Sequence, residues 1–125
     1  MKIESKSELI ALHRCLFEVK FGKNPNDSDL LGHPDTAKLA TQVIDELTEI
    51  DGDHWQQWRN ADNHMDLISD MVVSLKAKFL KHIEEQDRAD YIRNAIAPFL
   101  ANESLIQTLV CDVFETNKRS AFIAH

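Results

Sequence analysis

Apolar side chains recur every three or four residues along most of the chain. This spacing is typical of amphipathic α-helices, because residues three and four apart share one helix face. Gly22 and Gly52 predict the ends of the first two helices, and Pro34 predicts the start of the second. No alternation typical of strands competes with this pattern. The sequence therefore predicts an all-α fold, a single compact bundle of five or six helices that occupies residues 1–125.

One segment, about residues 63–86, predicts a helix that is apolar around most of its circumference. Such a helix belongs at the centre of a bundle. Shorter helices are predicted over residues 53–60, 87–102 and 102–117. Pro98 predicts a kink or break, because it lacks a backbone N–H and crowds the preceding turn. The apolar side of the 63–86 segment is formed by Ile68, Met71, Val72, Leu75, Phe79 and Ile83.

The charge of the chain narrows the choice of partner. The net charge is −7, and residues 26–70 contain eleven acidic and only two basic side chains. An acidic surface repels the phosphate backbone, so we do not expect nucleic-acid binding. It favours a protein partner with a basic surface. The C-terminal helix or the apolar tail, residues 121–125, could provide a homodimer contact.

Two absences in the sequence predict where the protein acts. No stretch approaches the roughly 18 consecutive apolar residues of a membrane span. The N-terminal residues contain no apolar signal core. We therefore expect a cytoplasmic protein that does not use a membrane.

Neither the cysteines nor the histidines form a metal-binding set. Cys15 and Cys111 lie far apart, each within an apolar helical pattern, which predicts buried and unreactive thiols. The six histidines show no His-x-x-x-His or Glu-x-x-His spacing. His64 and His82 are predicted on the apolar side of the fourth helix, where a hydrogen-bonded boundary histidine is usual. No cofactor is expected from these residues.

Two pairs of acidic residues form the first candidate site. Glu46 and Glu49 are three residues apart on the second predicted helix, and Asp66 and Asp70 are four apart on the fourth. If these helices packed antiparallel, the four carboxylates could hold Mg²⁺ through oxygen ligands. The alternative, which we favour, is that these acidic side chains form ordinary solvated helix faces.

The acidic arrangement resembles, in part, the all-α nucleoside triphosphate pyrophosphohydrolases. In that family a Glu-x-x-Glu pair on one helix meets a Glu-x-x-Asp pair on the next. The segment Glu46-Leu47-Thr48-Glu49 fits the first half, whereas Asp66 and Asp70 are four apart and no glutamate accompanies them. The resemblance covers about residues 34–83. It implies a magnesium-dependent nucleotide hydrolase in which the four carboxylates ligate metal. In this alternative hypothesis Trp55 or Trp58 would stack the base.

A tryptophan pair forms the second candidate site. Trp55 and Trp58 are three apart on a short helix, flanked by His54 and Arg59. Such a pair could stack a nucleobase or anchor a protein partner. Alternatively, and we favour this for packing reasons, both indoles cover the open end of the bundle and each N–H binds a carbonyl.

The function that we expect is a non-enzymatic helical interaction or regulatory module with an acidic central surface. The magnesium-dependent hydrolase is the alternative.

Overall fold

The computed structural model describes residues 5–21, 31–78 and 80–114. In these ranges the chain forms α-helices and no β-strand, so the predicted all-α bundle is confirmed. The predicted apolar tail at residues 121–125 lies outside the described residues. None of the described helices is both long enough and apolar enough to span a bilayer. The helices are α1 (Lys6–Phe21), α2 (Pro34–Asp51), α3 (His54–Trp58), α4 (Met65–Ala77), α5 (Arg88–Ile96) and α6 (Glu103–Phe114).

Several helix ends follow the signals in the sequence. The Ser5 hydroxyl accepts a hydrogen bond from the Glu8 backbone N–H at 3.1 Å and caps α1. Helix α2 begins at Pro34 and ends before Gly52, whose φ of 114° is a conformation that favours glycine. Helix α5 ends before Pro98, which confirms the predicted break.

Helix α4 is shorter than the helix predicted over residues 63–86. It ends at Ala77, and the chain then turns so that Leu80 enters the core with 7% of its surface exposed. The apolar spacing continues beyond the turn because Leu80 and Ile83 pack against the same core as α4. Val73 is 66% exposed, so α4 buries one face rather than most of its circumference.

Two side chains predicted in apolar surroundings lie at the surface. Cys15 is an exposed free thiol, because it lies on α1 away from the side that carries the buried Leu9. His82 is exposed, because α4 ends before it and the chain turns. Cys111 is half-buried.

Among residues 5–21, 31–78 and 80–114, two groups of buried apolar side chains form the interior. The α1–α2 cluster consists of Leu9 with Val43, Ile44 and Leu47. Trp58 packs against this cluster and also against the main cluster. It therefore connects the α1–α2 pair to the rest of the bundle. The main cluster, which lies largely among α4, α5 and α6, includes Ile68, Met71, Leu75, Ile92, Ile96, Phe99, Ile106 and Leu109.

A fully buried lysine holds α1 against α5. The Lys20 side chain has no solvent-exposed surface. Its Nζ donates hydrogen bonds to the carbonyl oxygens of Asn94, at 2.6 Å, and Leu31, at 3.3 Å. Asn94 Nδ2 in turn donates to the Gly32 carbonyl at 3.1 Å. Removal from water lowers the pKa of Lys20 from 10.5 to about 7, because burial penalises the charged amine.

We expect Lys20 to make the free energy of unfolding depend on pH between about 7 and 10.5. In this window the unfolded chain holds a proton that the folded protein has lost, so stability should rise with pH. The slope should approach at most about 1.4 kcal/mol per pH unit. Urea denaturation at pH 7, 8 and 9 measures it. The variant Lys20→Met should lack this component; identical slopes for both proteins would contradict the assignment.

We also expect Gly32→Ala to destabilise the fold. A Cβ at Gly32 would overlap the ring of Tyr91, and overpacking of this kind typically costs about 1–3 kcal/mol. Thermal or urea denaturation measures the loss. In a Tyr91→Leu background the same substitution should cost less, because the overlapping ring atoms are gone. An equal cost in both backgrounds would show that the ring contact is not the cause.

Candidate binding groove

A groove between α1 and α3 contains both tryptophans. It encloses an open volume of about 690 Å³. One wall is a face of α1, since its residues 10, 13, 14, 17 and 18 follow helical spacing. The other wall is α3. The groove is lined by Ile10, His13, Arg14, Phe17, Glu18, His54, Trp55 and Trp58.

Trp58 forms the inner end of the groove. Its ring centroid lies 5.0 Å from that of Phe99 and 5.1 Å from those of His13 and His64. The His64 ring stacks on Phe99 at 4.2 Å. His64 Nε2 lies 2.6 Å from the Trp58 carbonyl oxygen. Because a carbonyl only accepts, Nε2 carries the proton, and His64 is the hydrogen-bonded boundary histidine that the sequence predicted.

Trp55 forms the outer side of the groove and is held by Asp51. Its indole Nε1 donates to Asp51 Oδ2 at 2.9 Å. Lys6 Nζ contacts the other carboxylate oxygen at 2.7 Å, and His54 Nε2 lies 3.3 Å from Oδ2. Hydrogen bonds from Lys6 and Trp55 lower the pKa of Asp51. The indole is thus fixed by a carboxylate rather than by the predicted carbonyl.

The groove wall is mainly aromatic. His13 presents its ring to both tryptophans in edge-to-face geometry, a favoured arrangement for aromatic pairs. Burial, and then the neighbouring Arg14 charge, lower the pKa of His13. Its imidazole is therefore uncharged at neutral pH, and the remaining charges in the lining are those of Arg14 and Glu18, with His54 exposed at the edge.

The structure groups three of the four predicted residues of the tryptophan segment. His54, Trp55 and Trp58 line the groove, whereas Arg59 does not. The Arg59 side chain is buried, and its Nε donates to the Pro98 carbonyl at 2.8 Å. His13, which the sequence pattern did not place at the site, lies four residues before Phe17. An aromatic pair at that spacing on one helix face was the available signal.

The four acidic residues of the magnesium hypothesis are exposed. Glu46 and Glu49 lie outside the buried face of α2, which includes Val43 and Leu47. Asp66 and Asp70 of α4 likewise lie away from the buried Ile68, Met71, Val72 and Leu75. Within residues 5–21, 31–78 and 80–114, no group of three or more His, Cys, Asp or Glu side chains could hold a metal ion. The described structure therefore does not bring these four carboxylates together.

Comparisons with protein-family models, with curated proteins and with solved structures found no match to this chain. The partial resemblance to the nucleotide pyrophosphohydrolases is thus not accompanied by a match to a family model.

The two tryptophans should differ in their contribution to stability. We expect Trp58→Ala to cost about 3 kcal/mol or more, because it removes a large side chain from between two buried clusters. Trp55→Ala should lower the free energy of unfolding by less, because Trp55 packs against the α1–α2 cluster and not against the main cluster. Urea denaturation followed by circular dichroism measures both variants without relying on indole fluorescence. Equal costs would contradict the assignment of Trp58 as the connecting residue.

Proposed function

We propose that this protein is a small non-enzymatic interaction module of the cytoplasm. Its groove between α1 and α3 accepts an apolar or aromatic side chain from a protein partner. Trp55 is the anchor residue of this contact. Trp58 supports it from within the fold.

The observation that carries the proposal is the fixed position of a partly exposed indole beside an open groove. The hydrogen bond to Asp51 holds the Trp55 ring in place before any partner arrives. A side chain that is already ordered loses little conformational entropy on binding. Tryptophan is also among the residues that most often dominate the energy of protein interfaces.

The acidic surface of the protein supports a basic partner, because it would attract that partner over a distance rather than contact it inside the groove. The groove lining carries one acidic and one basic residue, Glu18 and Arg14, so it has no strong preference for either sign. The exposed acidic residues of α2, including Glu46 and Glu49, and the net charge of −7 would accelerate encounter with a basic surface. Such long-range attraction affects the association rate more than the final affinity.

The test is quantitative affinity capture from the native host with wild-type protein and with Trp55→Ala. We expect the captured partner to fall by about tenfold or more with Trp55→Ala, which corresponds to the loss of a hot-spot side chain. Circular dichroism first establishes that the variant is folded.

Val73→Ala is the matched control, because Val73 is an exposed apolar residue on α4 and does not line the groove. The control should capture the partner as well as wild type. If folded Trp55→Ala captures the same proteins at the same level as wild type, the groove is not the interface.

A further inference from the structure

A second cavity, of about 430 Å³, lies between α2 and the segment that joins α5 to α6. The described residues that line it all differ from those that line the groove at Trp55. Its apolar lining includes the buried side chains of Ile96, Phe99 and Ile106. Leu100, which also lines the cavity, is 57% exposed. A ligand with an apolar body would remove this leucine from water.

Among the described residues, every charged side chain in the cavity lining is basic. These residues are Lys38, Arg59 and Arg93, in a chain whose 21 acidic residues outnumber its 14 lysines and arginines. Thr41, Gln42 and Asn94 add uncharged polar groups to the lining. An apolar pocket with a few converging polar groups is typical of small-molecule sites. We call this site the basic cavity.

Arg59 is held in place at the basic cavity by the protein itself. Its Nε donates to the Pro98 carbonyl at 2.8 Å, and its Nη1 donates to Gln56 Oε1 at 3.0 Å. Asp45 also lies 3.6 Å from Nη1. These contacts engage the Nε and Nη1 donors of the guanidinium. An arginine fixed in this way is well suited to bind an anion, because its side chain has little conformational freedom left to lose on binding.

The other two bases differ in their pairing. Arg93 is paired with two carboxylates: its Nη2 contacts both carboxylate oxygens of Glu103, at 2.6 and 2.8 Å, and its Nη1 contacts Asp90 Oδ1 at 2.9 Å. Lys38 is exposed and forms no ion pair with any other described residue. Its ammonium is therefore available to a ligand.

We propose that the basic cavity binds a small organic anion, with a carboxylate or phosphate group near Lys38 and Arg59 and an apolar body against Ile96 and Phe99. The charge of the lining selects the anionic group. The apolar lining selects against a bare inorganic ion.

Amide chemical shifts in a heteronuclear NMR titration test this proposal. The probes are benzoate, phenyl phosphate, inorganic phosphate and the neutral benzyl alcohol. We expect saturable shifts at residues 37–42 and 93–101 with benzoate or phenyl phosphate, and weaker effects with the other two. Whichever of benzoate and phenyl phosphate binds more tightly identifies the anionic group. No saturable shift with either aromatic anion, or equal binding of benzyl alcohol, would overturn the proposal.

Two variants with the same change in charge separate a local contact from a general electrostatic effect. Lys38→Glu should weaken binding of the preferred probe by about tenfold or more, because a charge-assisted contact is replaced by repulsion. Lys81→Glu alters an exposed lysine that does not line the cavity, and should leave binding within about twofold. Equal loss with both variants, or no loss with Lys38→Glu, would also overturn the assignment.

Discussion

The contact of Trp58 with two separate hydrophobic clusters is the interaction on which the rest of the structure depends. The α1–α2 cluster is small: in the part of the chain that the structure describes, its buried members are Leu9, Val43, Ile44 and Leu47. A cluster of this size contributes limited apolar burial by itself. Trp58 joins it to the main cluster through one large side chain, and its ring contacts also fix the inner wall of the groove. Fold stability and groove shape therefore depend on the same residue.

Consecutive residues at the end of α3 line two different concave surfaces. Trp55 and Trp58 lie at the groove, while Arg59, the next residue, lines the basic cavity. The backbone after α3 is held in place by the segment that precedes α6, because Leu100 N donates to the Arg59 carbonyl at 2.7 Å and Ala61 N donates to the Leu100 carbonyl at 3.0 Å. Two concave surfaces thus take lining residues from consecutive positions of one anchored segment.

The sequence predicted the helices well because their buried stripes obey a simple spacing. Ala40, Val43, Ile44 and Leu47 are all buried on α2, between the predicted start at Pro34 and the predicted end at Gly52. The end of α4 could not be predicted in this way. No glycine or proline marks Ala77, and the apolar pattern continues because Leu80 enters the same core after a turn.

The candidate site was predicted only in part, for a related reason. Trp55 and Trp58 are three residues apart on one short helix, so their spacing in the sequence is enough to place them on the same face. The wall formed by His13 and Phe17 comes from α1, more than thirty residues earlier in the chain. Arg59 was grouped with the tryptophans by proximity in sequence, but the turn after α3 directs its side chain to the Pro98 carbonyl. Tertiary packing, which single-sequence periodicity does not contain, decided both outcomes.

The burial of Lys20 has a consequence for the chemistry of the protein's amines. Acylating reagents modify exposed lysines such as Lys38 directly, whereas the sealed Nζ of Lys20 reacts only after α1 separates from the carbonyl oxygens of Leu31 and Asn94. The acylation rate of this one amine therefore follows the opening of the molecule. The extent of acylation at Lys20 over time therefore measures how often α1 separates from the rest of the bundle.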